Sequence, residues 1–388
     1  MNKSPYLDDL QLKAELDRCL SCPAKPCMYS CPVHCCPQEF IKCAKEGDYA
    51  GAIKSITSNN PMGLTCGLIC PEQFCMKACV RAKIDRPVRI PAIQAALVKK
   101  YRQKTSHKIP CSQRQSIAIV GAGPAGIAAA WALVQAGYKA TIFEKSAHVG
   151  GALRLIPSAR LPEGTIEDDW SYIQTLGEVS VCFNSTIDDP VALLKQEFAG
   201  VIMAIGDEEL INLNIPGEEH IVPYTEYLAH PQRYARLPKI AIIGGGKVAF
   251  DCAMTAIDNH ASDVTMLVRR ALSDMKIDPS ELQQLQQAKV HIEPMTKAAC
   301  VQKEDKGYTL ETISTTFVQG QWQEVPDSRH KRTGFDLIIK AIGSKSKPHI
   351  THPQVIYAGD CKNEGSTIVE ALASGIKAAD IITTTKSS

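Results

Sequence analysis

Residues 117–126 read IAIVGAGPAG, and a helix-forming run to Ala136 follows directly. Ile117–Val120 predicts a short buried strand, and Pro124–Ala136 predicts a helix. The glycines between them match G-x-G-x-x-G. Gly121 permits the tight turn, Gly123 lets a pyrophosphate approach the backbone, and Gly126 lets helix and strand pack closely. Unpaired N–H groups at the helix start then face the phosphates. A second strand, Ala140–Phe143, ends in Glu144, 23 residues beyond Gly121, where a carboxylate can accept the hydroxyls of an adenosine ribose. A lone glycine motif is weak. Strand, turn, helix and acid together predict a dinucleotide-binding α/β domain.

The pattern recurs at 240–249, IAIIGGGKVA, with Gly244, Gly246 and the small Ala249 in the three glycine positions. The next strand, Val264–Val268, ends in Arg269-Arg270 instead of an acid. An acid would favour NAD; arginine suits the 2′-phosphate of NADP, a pyrophosphate or simply water, so NAD(H) and NADP(H) both stay open. Val201–Ala204, Leu337–Lys340 and Val355–Ala358 read as further strands, and a last helix runs from about Ser366 to Ile382. Two complete nucleotide-binding beginnings predict two Rossmann-like domains, the first closing around the second. The expected bounds are 111–235 with 335–388 for the first, FAD-binding domain, and 236–334 for the inserted NAD(P)-binding domain.

Upstream, composition changes. Of sixteen cysteines, eleven lie between Cys19 and Cys79. Residues 1–110 carry helix-like apolar spacing at Gln38–Gly47 and Tyr49–Ser58, and Pro91 suits the first turn of a helix reaching about Gln103. Lys104–Ser116 reads as a linker. The chain has 388 residues, enough for two or three domains. Its 43 basic and 41 acidic residues argue against a general nucleic-acid coat. No apolar run approaches the length of a bilayer span, and the start, MNKSPYLDD, lacks a signal-type apolar region, so a cytoplasmic, membrane-free protein is expected. In that setting a dense cysteine cluster points to metal rather than to disulfides.

The spacing is C19-x2-C22-x4-C27-x3-C31-P32, then C70-x4-C75-x3-C79. Soft thiolates suit iron–sulfur clusters. Zinc competes for C-x2-C alone, but the continuation through Cys27 and Cys31-Pro32 favours an iron–sulfur domain. Cys35, Cys36, Cys43 and Cys66 exceed a simple ligand set and read as small apolar core residues.

Gly150-Gly151, close after Glu144, suits a backbone passing near a cofactor. Asp360, after a late strand and before a helix start near Thr367, reads either as a turn cap or as a partner for a flavin ribityl chain; the first glycine motif favours flavin. The combination explains itself chemically. A nicotinamide yields two electrons as a hydride, a cluster takes one, and flavin converts between them. No Ser/His/acid arrangement or HExxH is present, so no acid–base or nucleophilic catalytic residue is assigned.

Together these motifs resemble the family that contains the small subunit of glutamate synthase and the amino-terminal half of dihydropyrimidine dehydrogenase. The stretches N60-P-M-G-L-T-C-G-L-I-C70-P71, C75-x3-C79 and R86-P-V-R-I-P-A-I-Q94 are most similar to the flavin-binding, electron-input subunit of the bacterial NAD-dependent dihydropyrimidine dehydrogenase. The resemblance implies a helical domain with two [4Fe-4S] clusters, one on Cys19, Cys22, Cys27 and Cys79, the other on Cys31, Cys70, Cys75 and the amide oxygen of Gln94. On residues alone, Gln94 is a polar helix residue. The resemblance also marks Gly121, Gly123, Gly126, Glu144, Asp360 and Thr367 as FAD contacts and Gly244, Gly246 and Ala249 as nicotinamide-nucleotide contacts. It implies a partner subunit carrying FMN and further clusters, on which uracil and thymine are reduced, and hence a hetero-oligomer. Electron input to glutamate synthase or to a related NADPH-dependent reductase is the alternative. A stand-alone oxidoreductase and a cluster-bearing structural or sensing protein are the remaining ones.

Overall fold

The structure, a computed structural model, describes residues 4–103, 108–113, 115–196, 198–347, 349–363 and 365–384. The expected linker Lys104–Ser116 falls partly outside them. The chain forms two compact units. One comprises Met1–Arg154, Ser158–Glu209 and Lys345–Ser388; the other comprises Leu155–Pro157 and Leu210–Ser344.

The first unit opens with helices. α1 (Asp9–Asp17) begins at a capping box in which Asp8 and Gln11 satisfy each other's backbone N–H groups. α2 (Pro37–Lys45) and α3 (Tyr49–Thr57) follow, then α4 (Gly63–Ile69) and α5 (Ile90–Tyr101), which carries Pro91 in its first turn as the sequence predicts. Phe40, Ile56, Met62, Ile93 and Leu97 are fully buried among these helices. α4 and α5 cross closely: a Cβ on Gly67 would lie 2.5 Å from the Ala95 nitrogen.

The same unit contains β1 (Ser116–Val120), α6 (Pro124–Gln135), β2 (Lys139–Phe143), α7 (Thr165–Leu176), β3 (Val179–Cys182), β4 (Phe198–Met203), β13 (Val355–Tyr357) and α9 (Ile368–Thr384). Its five strands are parallel in the order β13-β4-β1-β2-β3. Ile117 and Ile119 on β1 are completely buried, which is why this strand reads as an uninterrupted apolar run. α9 lies against α6 so tightly that a Cβ on Gly375 would come within 2.0 Å of the Ala125 carbonyl oxygen.

The second unit contains β5 (Val222–Pro223), β6 (Lys239–Ile243), α8 (Lys247–Asp258), β7 (Asp263–Val268), β8 (His291–Pro294) and β12 (Leu337–Lys340). These strands are parallel in the order β5-β12-β6-β7-β8. A three-stranded antiparallel sheet, β9 (Thr296–Lys303), β10 (Tyr308–Val318) and β11 (Gln321–Phe335), separates β8 from β12 along the chain.

Both expected bounds of the inserted domain move outward. Leu337–Lys340, expected in the first domain, instead joins the second sheet, with Leu337 opposite Ile240 and Ile339 opposite Ile242. The Asp336 carboxylate fixes that return by accepting the Lys239 N–H at 2.8 Å. At the other end the unit starts at Leu210, not at 236, because β5 pairs with β12 and Tyr227 is wholly buried in the second core. The order of an α/β domain interrupted by another is as expected. Among the described residues no helix is long and apolar enough to cross a membrane.

Candidate cluster, flavin and nucleotide sites

Cys79 lies 60 residues from Cys19 in sequence, and a set of ion pairs brings their segments together. Arg18, at the end of α1, donates to Glu15 at 2.9 Å, Asp85 at 3.0 Å and the Arg86 carbonyl at 2.6 Å. Glu15, nearly inaccessible, also accepts from Arg86 at 3.1 Å and from the Arg89 N–H at 3.1 Å. Arg81 closes on Asp85 with two bonds, at 2.9 and 3.0 Å. This clasp holds the turn after Cys79 against the helix end before Cys19.

Within it, Cys19, Cys22, Cys27 and Cys79 line one cavity, walled on the apolar side by Pro26, Ile41, Val88 and Ile90. Burial pushes the Cys27 thiol up to about 11, with Cys19 and Cys79 adding to the shift. The second group gathers where α4 ends. Cys70 caps α4 in extended conformation. Cys75 is buried, and burial pushes its thiol up to about 12, with contributions from Cys31 and then Cys27. Gln94, buried on α5, donates its amide to the Gly63 carbonyl at 2.7 Å. Its Oε1 faces Cys35 Sγ at 3.8 Å.

The four thiols around the first cavity fit an iron–sulfur cluster. Among the described residues no three His, Cys, Asp or Glu side chains converge on a single-ion site. Four thiols spaced around a cavity suit a multi-iron body, whose ligands stand at its corners.

The first glycine loop is built by contacts of its own. Gly121 has φ +101°, and a Cβ there would strike the Ala204 carbonyl oxygen at 2.4 Å. A Cβ on Gly126 would lie 1.9 Å from the Gly121 oxygen, so any side chain would pry α6 from the turn. Gly123, the residue before α6, has open space where its Cβ would be, and no side chain caps the helix. That opening leaves the first N–H groups of α6 for a phosphate. Glu144, 5% exposed, spans the loop: one oxygen accepts the Ala122 N–H at 2.7 Å and the other accepts Ser146 N–H at 2.8 Å. Gly150 N–H donates to the Ala122 carbonyl at 2.7 Å, and Gly151 approaches Gly123. Six predicted positions therefore sit around one helix start.

Asp360 and Thr367 come to the same neighbourhood through Gly359, whose Cβ would lie 2.8 Å from that of Ala125. Burial raises the Asp360 carboxyl above its ordinary range, against the bonds it accepts from Ser366. Thr367 gives both its N–H and its hydroxyl to Glu370, at 2.9 and 2.7 Å. Glu370, in the first turn of α9, thus satisfies the Thr367 N–H just ahead of the helix. The cradle of open glycine, uncapped helix start, the buried Glu144 and the half-buried Asp360 fits FAD.

In the second unit, Gly244 has φ +148° and its Cβ would meet the Ala341 carbonyl oxygen at 2.2 Å; Ala249 is fully buried beneath it. Gly246 again opens into free space ahead of an uncapped helix, α8. Arg269 and Arg270 are exposed, while their backbone carbonyls are fixed by Thr315 Oγ1 at 2.6 Å and Met295 N–H at 2.9 Å.

Two features escape sequence reading: Glu15 and Arg18 look like ordinary charges on a helix, and Asp169 looks like one of three acids on α7.

Known proteins place the chain. Residues 2–106 match the family described as dihydropyrimidine dehydrogenase domain II, 4Fe-4S cluster, and residues 115–375 match pyridine nucleotide-disulphide oxidoreductase. The NAD-dependent dihydropyrimidine dehydrogenase subunit PreT of Escherichia coli K12 is 31% identical, with 98% of each chain covered. The NADPH-Fe(3+) oxidoreductase subunit beta of Geobacter sulfurreducens is 28% identical over 71% of this chain and 43% of its own. Mycobacterium tuberculosis FprA, solved with NADPH, shares the fold at TM-score 0.58 and 15% identity, over 71% of this chain and 85% of that one. The chain belongs to the family of PreT-type subunits of NAD-dependent dihydropyrimidine dehydrogenase, oxidoreductases that join a 4Fe-4S domain to a pyridine-nucleotide domain.

Proposed function

We propose that this chain is the electron-input subunit of a pyrimidine reductase: it oxidises NADH and delivers the electrons to a partner subunit, carrying FMN, that reduces uracil or thymine to the 5,6-dihydro form. FAD, when bound, supplies the two-electron to one-electron conversion this requires. The observation that carries the reading is that one compact unit holds both the cavity lined by Cys19, Cys22, Cys27 and Cys79 and the glycine cradle around Gly123.

In this reading the residues bind and orient rather than catalyse. The start of α6 and Gly123 hold the FAD pyrophosphate, Glu144 the adenosine ribose, and Gly150, Gly151, Asp360 and Thr367 the neighbourhood of the flavin. Gly244, Gly246 and Ala249 seat the nicotinamide nucleotide at α8. Seven cysteines (19, 22, 27, 31, 70, 75 and 79) and the amide oxygen of Gln94 hold two [4Fe-4S] clusters. The buried walls around Cys27 and Cys75 keep water from the clusters. A cytoplasmic hetero-oligomer is the corresponding assembly.

A second reading, electron input from NADPH to glutamate synthase or another acceptor, is favoured by the exposed Arg269-Arg270 pair, which suits a 2′-phosphate. The PreT relatives are named NAD-dependent, which favours NADH. Anaerobic co-purification with the candidate FMN subunit, then NADH- and NADPH-driven uracil reduction, separates the two. Dihydrouracil formed with NADH is expected. Glutamate from glutamine and 2-oxoglutarate, with uracil untouched, would overturn the first reading.

A further inference from the structure

Lys247 is the first residue of α8, where a helix start offers its N–H groups to a phosphate. A cation in that place opposes the helix dipole, so helix stability does not explain it. Its ammonium is committed elsewhere. Lys247 Nζ donates to Asp278 Oδ2 at 2.6 Å and to Glu281 Oε2 at 2.8 Å. The same Glu281 oxygen accepts the Asp278 N–H at 2.7 Å, so the ammonium grips the start of the helix Pro279–Gln287 at two points. Both carboxylates are shielded from water, with 16% and 9% of their side chains exposed.

The chain leading to that anchor runs back along the second glycine turn. Lys276 N–H donates to the Gly245 carbonyl at 3.1 Å, and Lys276 pairs with Gly246 in an isolated parallel bridge. A Cβ on Gly245 would lie 2.8 Å from Val268 Cγ1 and 3.5 Å from Met275 Cγ. Met275 and Ile277 also pack on the core of this unit. Residues 275–278 therefore form a side wall of the turn, and Lys247 ties the far end of that wall to α8.

We propose that Lys247 is a positioning residue for the nicotinamide nucleotide: it clamps residues 275–278 against the glycine turn and is not itself a phosphate ligand. The inference rests on the reading of Gly244, Gly246 and α8 as the nucleotide seat. One ammonium between two carboxylates leaves the group with a net negative charge, which does not draw in an anion. Without the ammonium, Asp278 and Glu281 face each other uncompensated, and like charges at close range repel. The wall then leaves the turn for part of the time. If it stands in place for about a tenth of the molecules, apparent nucleotide affinity falls about ten-fold. A loss of that kind is uniform binding, so it raises KM and leaves kcat alone.

The test uses the full chain, prepared anaerobically, and calorimetric titration of the oxidised protein with NAD+ and with NADP+. FAD content and melting temperature report folding, and NADH oxidation by ferricyanide gives KM and kcat. Lys247→Met should raise the Kd for NAD+ about ten-fold and KM for NADH likewise, with kcat unchanged. Lys247→Arg, which keeps a cation with several donors, should restore most of the affinity. Asp278→Asn separates a clamp from a ligand. It loosens the wall while freeing the ammonium, so a clamp predicts weaker NAD+ binding, whereas a phosphate ligand predicts equal or tighter binding. A Lys247→Met protein with the wild-type Kd, one that loses NADP+ alone, or an Asp278→Asn protein that binds NAD+ undiminished would overturn the inference. If Lys247→Met does not fold, the Asp278→Asn titration decides. Wild-type protein that binds neither nucleotide would overturn the nucleotide reading itself, and the clamp with it.

Discussion

The fully buried Asp169 on α7 accepts both the backbone N–H of Thr65, at 2.8 Å, and its hydroxyl, at 2.7 Å, across 104 residues of sequence. The other carboxylate oxygen accepts the Leu64 N–H at 3.2 Å and pairs with Arg102. Asp169 thus caps α4, the helix that ends at Cys70, from the α/β part of the same unit. It does for α4 what an N-cap side chain normally does, but from another element. Asp169→Ala leaves Arg102 buried without its counter-charge, and losing one partner of such a pair costs about 3–5 kcal/mol. Urea unfolding should show that loss. Thr65→Val, which removes only the hydroxyl bond, should cost about 1 kcal/mol. Equal costs for the two would show that the ion pair contributes little.

Glu144 keeps one bond per oxygen to the loop it spans, so each oxygen retains acceptor capacity for the ribose hydroxyls. Glu144→Gln turns one of those acceptors into a donor facing an N–H. A charged hydrogen bond contributes about 1.5–3 kcal/mol, so FAD affinity should fall roughly ten- to hundred-fold. Recovery of flavin fluorescence on dilution measures the release. Undiminished FAD retention in the variant would remove Glu144 from the flavin site.

What the sequence made readable was local. Ile117–Gly126 and Ile240–Ala249 declare strand, turn and helix through residues within a few positions of one another, and both units fold around them. The strand Leu337–Lys340 was equally visible as a strand, but which sheet it joins depends on Lys239 and Asp336, far apart in sequence and met only in the fold. The cluster residues divide in the same way. Cys19, Cys22 and Cys27 announce themselves by spacing; the arrival of Cys79 beside them depends on Arg18, Glu15 and Asp85, which carry no motif. Asp169 was illegible because its partners lie on α4 and at Arg102, while its immediate neighbours Glu167 and Asp168 are charges of the ordinary surface kind.

Gly375 offers a steric test of how α9 and α6 share the flavin-type loop. A Cβ would sit 2.0 Å from the Ala125 oxygen, 2.9 Å from its carbonyl carbon and 3.1 Å from its Cα, all backbone atoms that cannot rotate away. Gly375→Ala should therefore force the helices apart despite alanine's better helix propensity, which by itself would stabilise by about 1 kcal/mol. Overpacking typically costs about 1–3 kcal/mol, so a net loss of stability is expected. Because Ala125 lies in the first turn of α6, FAD should be held less tightly as well. Thermal unfolding followed by both tryptophan and flavin fluorescence reads the two effects together; a more stable variant with full FAD would contradict the packing argument.

The clasp around Arg18 should leave a signature in acid. Bonds from Arg81, from the Arg86 N–H and from Arg18 hold the Asp85 carboxyl well below the usual carboxylate range. A group whose folded-state value is depressed adds stability at pH above its unfolded value, near 4, and loses it as pH falls toward the folded value. Asp85→Asn removes the titrating charge at every pH. The melting temperature of the wild type should therefore exceed that of the variant by a constant amount between pH 8 and about pH 5. Below about pH 4 the gap should narrow, because protonation brings the wild type toward the variant's charge state. Asp85 is partly exposed, so moderate salt should shrink the neutral-pH gap too. Melting curves across that pH range, at low and high salt, measure it; a gap that widens toward acid would mean that Asp85 is not what the three arginines hold.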